Sequence, residues 1–371
     1  QNVKDTLREA WKYVEAADLE YVKDKALDFH KTQVLKDAIV RSAQILERDG
    51  DVEEIKLLVD DAMKAGTERN LGHDYLEDFE ERYSETARIT TPTPWDIINE
   101  LMQGGLGQGE LGVVVAPAGI GKSWVLSAMG AYAISQGKNV VHYTLELNES
   151  YVGLRYDSIF SGVEGQNLMY HKDEVLEKVE QIKGDLTIKY YPTRSCTVNT
   201  LSAHIKKATS FGAEVDMILV DYADIMRDVG KSTEMRHQLG NIYEDLRGLA
   251  GEMQIPIWTA SQANRSALDE DVIDASKVAE SYAKVMTADF VISVSRKIED
   301  KIANTGRFHV IKNRFGPDGL TYPAKINTNI GKIELFESTS TQGKDVQNKI
   351  RNRDNQTKQM LSARYEDLMS D

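Results

Sequence analysis

One stretch limits the possible folds of this 371-residue chain more than any other: VVVAPAGIGKSWVLSA, Val113 to Ala128. A β-branched run meets a loop of small residues. Gly121-Lys122-Ser123 follows, and then an apolar segment with helical spacing. Ala116 to Ser123 fits the pattern of a P-loop, with Ala at the first position, where Gly is frequent. At average residue frequencies a chain of this length matches the pattern by accident on the order of 0.03 times. A glycine turn with an exposed lysine is the plainer alternative, and it fits less well because a strand and a helix flank the loop in the required order. Small residues let backbone N–H groups turn inward around phosphate oxygens at the positive end of the helix. Ala118, Gly119, Ile120, Gly121, Lys122 and Ser123 are therefore the candidate nucleotide-binding residues. Lys122 is expected to reach the outer phosphates and Ser123 to hold Mg²⁺.

A strand that feeds such a loop needs a sheet around it. LGVVVA, NVVHYTLEL, LTIKYYP, VDMILVDYA, IPIWTASQ, ADFVISVSR and RFHVIKNRF alternate with helix-length segments from Pro94 onward. That alternation predicts a mainly parallel sheet covered by helices. The density of VVV and MILV suits strands buried on both faces. AKINTNIGKIELFE reads as a terminal hairpin turned at Asn329 to Gly331.

The strand ends supply the chemistry. Asp221 follows four apolar residues, where a carboxylate is costly unless paired or bound to metal, so it is the candidate Mg²⁺-ordering acid. Asp216 and Asp224 are weaker candidates. Glu146 ends the second strand, expected beside the P-loop strand, and could orient and deprotonate water. Gln262 ends IPIWTASQ and could sense a γ-phosphate through its amide. His142 lies within a strand and reads as a core histidine. The plainer readings are a capping Asp, a surface Glu and a turn-capping Gln.

Composition excludes several classes. With 41% hydrophobic and 28% charged residues the chain has material for a core. No apolar run approaches the ~20 residues that span a bilayer, and the charged N-terminus is not a signal peptide. Because the chain begins at Gln1 rather than Met, a processed or truncated start is expected. The single cysteine, Cys196, excludes an intrachain disulfide and a Cys-cluster metal site. It reads as a small apolar filler, and a cytoplasmic location is expected. A net charge of −14 argues against a general nucleic-acid coat, but not against a protein that grips one strand through a few loops.

Three regions are expected. Residues 1–92 form a helical N-terminal region and linker, 93–337 an α/β domain, and 338–371 a polar tail, flexible or ending in a short helix. In the first, Ala26, Leu27, Phe29, Val34, Leu35, Ala38, Ile39, Ala43 and Ile45/Leu46 recur near helical spacing, and Asp49-Gly50 punctuates. DVEEIKLLVDDAMKAG reads as a second helix and GHDYLEDFEERYSE as a solvated helix or connector. TTPTP, Thr90 to Pro94, is the expected boundary.

Together these elements resemble the RecA-like ATPase domain of DnaB-family replicative helicases, and within that family most resemble those of T-even-type bacteriophages. The residues that carry the resemblance are GGLGQGELGVVVAPAGIGKS, YTLEL, YYPTRSCTVNTL and ILVDYADIM, followed in family order by LRGLAGEMQIPIWTASQANR, AESYAKVMTADFVISV and IKNRFGPDG. They span roughly residues 90 to 336. The resemblance implies ATP and Mg²⁺ as ligands. Lys122 and Ser123 take the phosphate and magnesium roles, Glu146 that of the catalytic glutamate, Asp221 that of the second-motif acid and Gln262 that of the sensor. KNRFGP looks like the family's K-x-R-x-G-P segment. Lys312 and Arg314 then match the piston lysine and the arginine finger that enter the ATP site of an adjacent subunit, placed by alternation on one strand face.

The resemblance also implies a homo-oligomer, a hexamer in this family, around single-stranded DNA, moving 5′ to 3′, with a primase and a helicase loader as possible partners. DNA loops map to Arg227–Gln238, with Lys231 and Arg236, and to the segment around Lys277, Glu280, Ser281 and Tyr282. Ala279 and Tyr282 depart from bacterial relatives, which carry Arg and Gly there; Lys277 and Lys284 are the substitutes considered, with an outer face as the alternative. Part of the N-terminal region is expected to hold a linker helix that docks on a neighbouring subunit, and primase docking is the second reading of its apolar stripe. Two other functions fit the P-loop. One is a RecA- or KaiC-like ATPase; the other is a helicase accessory or loader that binds ATP to hold an assembly together.

Overall fold

A computed structural model describes residues 16–48, scattered positions between 55 and 80, and residues 88–230, 234–278 and 282–352. The chain divides into two compact units, Gln1–Ala87 and Arg88–Asp371.

In the first unit, helix α1 spans Ala16–Glu47 and stops short of Asp49. Ala38 and Ser42 are buried and Val34, Leu35 and Ile45 half-buried, which traces one stripe at helical spacing. Phe29, Ile39, Ala43 and Leu46, read from the sequence as part of that stripe, are exposed. Their positions fall around the helix from the buried line, so apolar identity alone assigned them to it. Ile55, Leu58, Val59 and Ala62 are helical, as are Phe79 and Glu80. The rest of both expected helices lies outside the described residues.

The second unit opens on β1 (Thr90–Thr91), α2 (Asp96–Leu101), β2 (Leu106–Gly107) and β3 (Leu111–Ala116). Then come α3 (Lys122–Ser135), β4 (Val140–Thr144), α4 (Glu149–Ser161), α5 (Lys172–Val179), β5 (Leu186–Tyr190) and α6 (Val198–Ser210). The order continues through β6 (Met217–Asp221), α7 (Met235–Met253), β7 (Ile257–Gln262), α8 (Ala283–Thr287), β8 (Phe290–Ser295) and α9 (Ile298–Ala303). The unit ends with β9 (Thr305–Asn313), β10 (Thr321–Asn327) and β11 (Lys332–Leu335). TTPTP, the expected boundary, begins just after the division between the units and carries regular structure: β1 pairs antiparallel with β2, and Thr91, Thr93 and Trp95 are buried. Trp95 Nε1 donates to the Ile333 carbonyl at 3.0 Å, which ties this entry segment to the last strand.

Among the described residues the main sheet has nine strands in the order β11-β10-β9-β8-β3-β7-β6-β4-β5. Strands β8, β3, β7, β6, β4 and β5 run parallel; β9, β10 and β11 add antiparallel pairs at one side. This is a RecA-like α/β fold. The P-loop strand is central. Val114 and Ala116 face the core under α3, while Leu111, Val113 and Val115 face the core under α6 and α7. Burial on both faces explains why LGVVVA has no polar alternation. The expected terminal hairpin is present, with Asn327 opposite Lys332. The polar tail is more ordered than expected: residues 341–352 are helical, and Val346 and Ile350, one turn apart, are buried.

Strand order corrects one expectation. β4, which leads to Glu146, is not beside the P-loop strand; β7 and β6 stand between them. Local hydrophobic patterning does not encode lateral order in a parallel sheet, because every connection crosses over a helix.

Candidate functional site

The carboxyl ends of β3, β7, β6 and β4 form a row, with the P-loop after β3, Gln262 on β7, Asp221 on β6 and Glu146 just after β4. After β3 the loop turns through Gly119 (φ 72°) and Gly121 (φ 115°), backbone positions that suit glycine. Gly121 is the N-cap of α3, so the loop delivers the first N–H groups of that helix toward the space above the strand. A cavity of about 660 Å³ opens there. Ala118, Gly119, Gly121, Lys122, Ser123, Glu146 and Gln262 all line it. Ile120 does not; its side chain is buried in the core beneath the loop.

Lys122 Nζ donates to the carbonyls of Ala116 at 3.1 Å and Pro117 at 3.3 Å. Burial lowers its pKa, while Asp221, Asp224 and Glu146 oppose the shift. Asp221, the last residue of β6, is 4% exposed. Burial pushes its carboxyl pKa up, against a hydrogen bond from the Ser123 hydroxyl and the field of Arg155. A buried carboxylate beside a helix-terminal hydroxyl suits a small hard cation. Among the described residues no group of three or more His, Cys, Asp or Glu could hold a metal ion by itself. A Mg²⁺ ion bound to Ser123 or Asp221 would take its other ligands from phosphate and water, as that ion usually does.

Glu146 lies just beyond β4 and is exposed. The Leu145 N–H donates to the Asp221 carbonyl at 2.9 Å, and Thr144 pairs with Asp221, so Glu146 stands next to the buried acid despite the strand order. Gln262 ends β7, and its backbone N–H donates to Asp224 Oδ2 at 2.9 Å. Asp224 thus anchors the row. Asp216, the other weaker acid, pairs with Lys138 at 3.3 Å.

Sequence reading missed Arg155, Trp124 and Tyr222, which line the same cavity. Arg155 Nη1 is 4.0 Å from Asp221 Oδ2, beyond hydrogen-bond reach, and it has no hydrogen-bond partner among the described residues. The guanidinium lies over the Trp124 ring at 5.3 Å. The available signal was an arginine on the inward stripe of α4, between buried Val152 and Tyr156. His142 is buried as expected. Its Nδ1 meets the Tyr156 hydroxyl at 2.9 Å, and burial drops its pKa to about 3. Cys196 is buried, and its thiol pKa is pushed up to about 12.

Lys312 and Arg314 lie elsewhere. β9 ends at Asn313, so Arg314 follows the strand instead of lying within it. Lys312 Nζ donates to the carbonyls of Val285 at 3.0 Å and Met286 at 2.6 Å. Arg314 Nη1 pairs with Asp289 Oδ1 at 2.6 Å, and its side chain is 64% exposed. Asp289 precedes β8 and donates its N–H to the Leu111 carbonyl at 2.8 Å. Arg314 therefore sits at the amino end of β3, and the P-loop at the carboxyl end. The six residues of β3 separate them by about 15–20 Å.

Of the expected DNA contacts, Lys231, Glu280 and Ser281 lie outside the described residues. Arg236 and Tyr282, both exposed, come together on a cavity of about 550 Å³ with His237, Asn241 and Glu244. Lys277 is tied to Glu270 at 2.7 Å. Lys284 is neither a substitute DNA contact nor on an outer face: it is 1% exposed and paired with Asp224 at 2.9 Å.

Comparison with known proteins bears on this geometry. The model of the DnaB-like helicase C-terminal domain matches residues 92–331. A DnaB-like replicative helicase of Enterobacteria phage T4 is 29% identical over 288 residues, 72% of this chain and 59% of the relative. A replicative DNA helicase DnaB of Geobacillus stearothermophilus is 26% identical over 279 residues, 68% of this chain and 59% of the relative. The chain thus spans under two thirds of these relatives' length. Among solved structures, one ATPase domain aligns with a TM-score of 0.60 at 16% identity, over 70% of this chain and 96% of that one. A DnaB-like replicative helicase, solved in a study of its interactions with primase, aligns at 0.62 and 15% identity, over 81% and 76%. At these identities the solved structures bear on the fold alone. Among the described residues no helix is long and apolar enough to cross a membrane. With the family pattern matched from just after β1 to the turn that follows β10, the chain belongs to the DnaB-like helicase C-terminal domain family.

Proposed function

We propose that this chain is the ATP-hydrolysing motor of a replicative DNA helicase, acting in a ring of like subunits, six by family resemblance, that moves 5′ to 3′ along single-stranded DNA. The observation that carries this reading is the separation of Arg314 from its own P-loop by the length of β3. A cation so placed cannot serve its own triphosphate. It is exposed and can serve a neighbour's. Two close cations suit a polyanion: burial and Arg314 both lower the Lys312 pKa, and Asp289 opposes them.

Mg²⁺, when bound, would supply positive charge against the charge that develops on the phosphates. The loop N–H groups and Lys122 bind the phosphates, and Ser123 and Asp221 would hold the ion. Glu146 orients water and takes its proton, and the Gln262 amide reports the outer phosphate. Arg314 of an adjacent subunit completes the neutralisation, an effect worth about 10³ to 10⁵ in rate, or about 4–7 kcal/mol of barrier. Arg236 and Tyr282 give single-stranded DNA a cation and an aromatic platform. A primase and a loader are the partners that the family resemblance suggests.

Mixing tests the reading. Arg314→Ala and Lys122→Ala chains should each hydrolyse ATP at least about a thousandfold more slowly. Mixed, they should recover part of the rate, because an intact finger then meets an intact P-loop. No recovery at any ratio, with exchange of subunits verified, rejects action across an interface. Strand displacement on a forked duplex separates a helicase from a RecA- or KaiC-like ATPase, and from an accessory that turns over slowly and unwinds nothing alone.

A further inference from the structure

The buried Lys284–Asp224 pair belongs to none of the roles above. Lys284 Nζ lies 2.9 Å from Asp224 Oδ1 and 3.2 Å from Ser261 Oγ. Its ammonium is also 5.6 Å from the centre of the Tyr243 ring. Asp224 further accepts from the Tyr243 hydroxyl at 2.8 Å and the Gln262 N–H at 2.9 Å. One carboxylate therefore holds the sensor strand β7, the turn after Asp221, helix α7 and helix α8. A buried ion pair is weak evidence for stability, since an apolar pair of similar volume often serves as well. Its fixed geometry is the better clue.

What α8 carries at its other end completes the observation. Lys284 is in its first turn. Its last turn presents the Val285 and Met286 carbonyls that hold Lys312. Two residues beyond it, Asp289 holds Arg314 by side chain at 2.6 Å and by its backbone carbonyl, which accepts the Arg314 N–H at 3.0 Å. Asp289 also binds Arg247 of α7 at 2.6 Å. The five residues of α8 thus connect Asp224, under a chain's own γ-phosphate sensor, to the two cations at the far end of the sheet.

We propose that the Lys284–Asp224 pair is a tie through which nucleotide in a chain's own pocket sets the position of α8, and with it of Lys312 and Arg314. Lys284 is a positioning residue: it acts on the neighbouring site only through Lys312 and Arg314. Binding that shifts Gln262 moves Asp224, Asp224 moves the amino end of α8, and the carbonyls of α8 move Lys312. The inference rests on the reading that Lys312 and Arg314 act on a neighbour. Coupling of this kind is established by a response lost on cutting the link, not by proximity.

Hydrogen exchange on the full chain, with and without a nonhydrolysable ATP analogue and Mg²⁺, provides the test. In wild type the analogue should protect P-loop amides 118–123 and change exchange in the α8 segment 283–289. Asp224→Asn with Lys284→Met removes both charges and leaves no unpaired buried ion. It should keep the P-loop protection and lose more than half of the α8 change. An undiminished α8 change in that variant overturns the tie. It would mean that the signal enters α8 from Lys312 and Arg314, through the neighbour's nucleotide. If the double variant does not fold, Lys284→Gln, which keeps a donor to Ser261, is read in the same way: more than half the response lost supports the tie, and a full response overturns it. Absence of P-loop protection in wild type is a different failure, that of nucleotide binding itself.

Discussion

His142 shows how a single buried side chain writes itself into the behaviour of the protein. It has one partner, the Tyr156 hydroxyl, and its Nε2 has none among the described residues. Burial and the nearby Arg155 charge hold it neutral, with a pKa of about 3 in the folded chain against 6.5 as the ordinary value. Between those values the unfolded chain binds one more proton than the folded chain. The stability that neutral His142 contributes is therefore full above pH 6.5 and lost as pH falls through the window toward 3, at about 1.4 kcal/mol per pH unit. His142→Gln should flatten the slope of unfolding free energy against pH by about one proton between pH 4.5 and 6. Urea midpoints across that range measure it, and equal slopes in variant and wild type reject the assignment.

Strand β3 must satisfy two neighbours and two helical layers at once. Gly112 pairs with Trp258 on one side and Phe290 on the other. A Cβ at Gly112 would overlap the indole of Trp258, itself fully buried. The glycine is there for close approach of an aromatic ring, not for a positive φ. Gly112→Ala should lower stability by about 1–3 kcal/mol, the usual cost of overpacking a core. Denaturant midpoints at constant slope measure this. A midpoint equal to wild type means that the indole moves aside freely and that β3 is packed more loosely than described.

An acidic protein that grips a polyanion must do so locally. At a net charge of −14 the chain as a whole repels a polyanion. On the proposed function, binding depends on a few cations in the right place, and Arg236 in the cavity shared with Tyr282 is the candidate. Arg236→Ala should weaken oligo-dT binding and reduce the slope of log affinity against log salt by about 0.7, the loss of one phosphate contact on a single strand. Anisotropy titrations at several salt concentrations report both quantities. Weaker binding with an unchanged slope would show that Arg236 shapes the groove without touching phosphate.

The candidate residues at the row of strand ends could be read from the chain itself. Lys122, Ser123, Asp221, Glu146 and Gln262 each end or closely follow an apolar run, and a polar group at the end of a buried parallel strand stands where ligands bind in such sheets. The α/β class was legible for the same reason, because short-range periodicity is set by neighbours in sequence. Other relations depend on partners far apart along the chain, brought together by packing alone. The insertion of β7 and β6 between β3 and β4 is one. Arg155 turning inward beside Asp221 and Lys284 burying itself against Asp224 are others. No local pattern records which distant carboxylate will neutralise a lysine, because burial creates the need for a partner and the crossing of helices over the sheet decides which one is within reach.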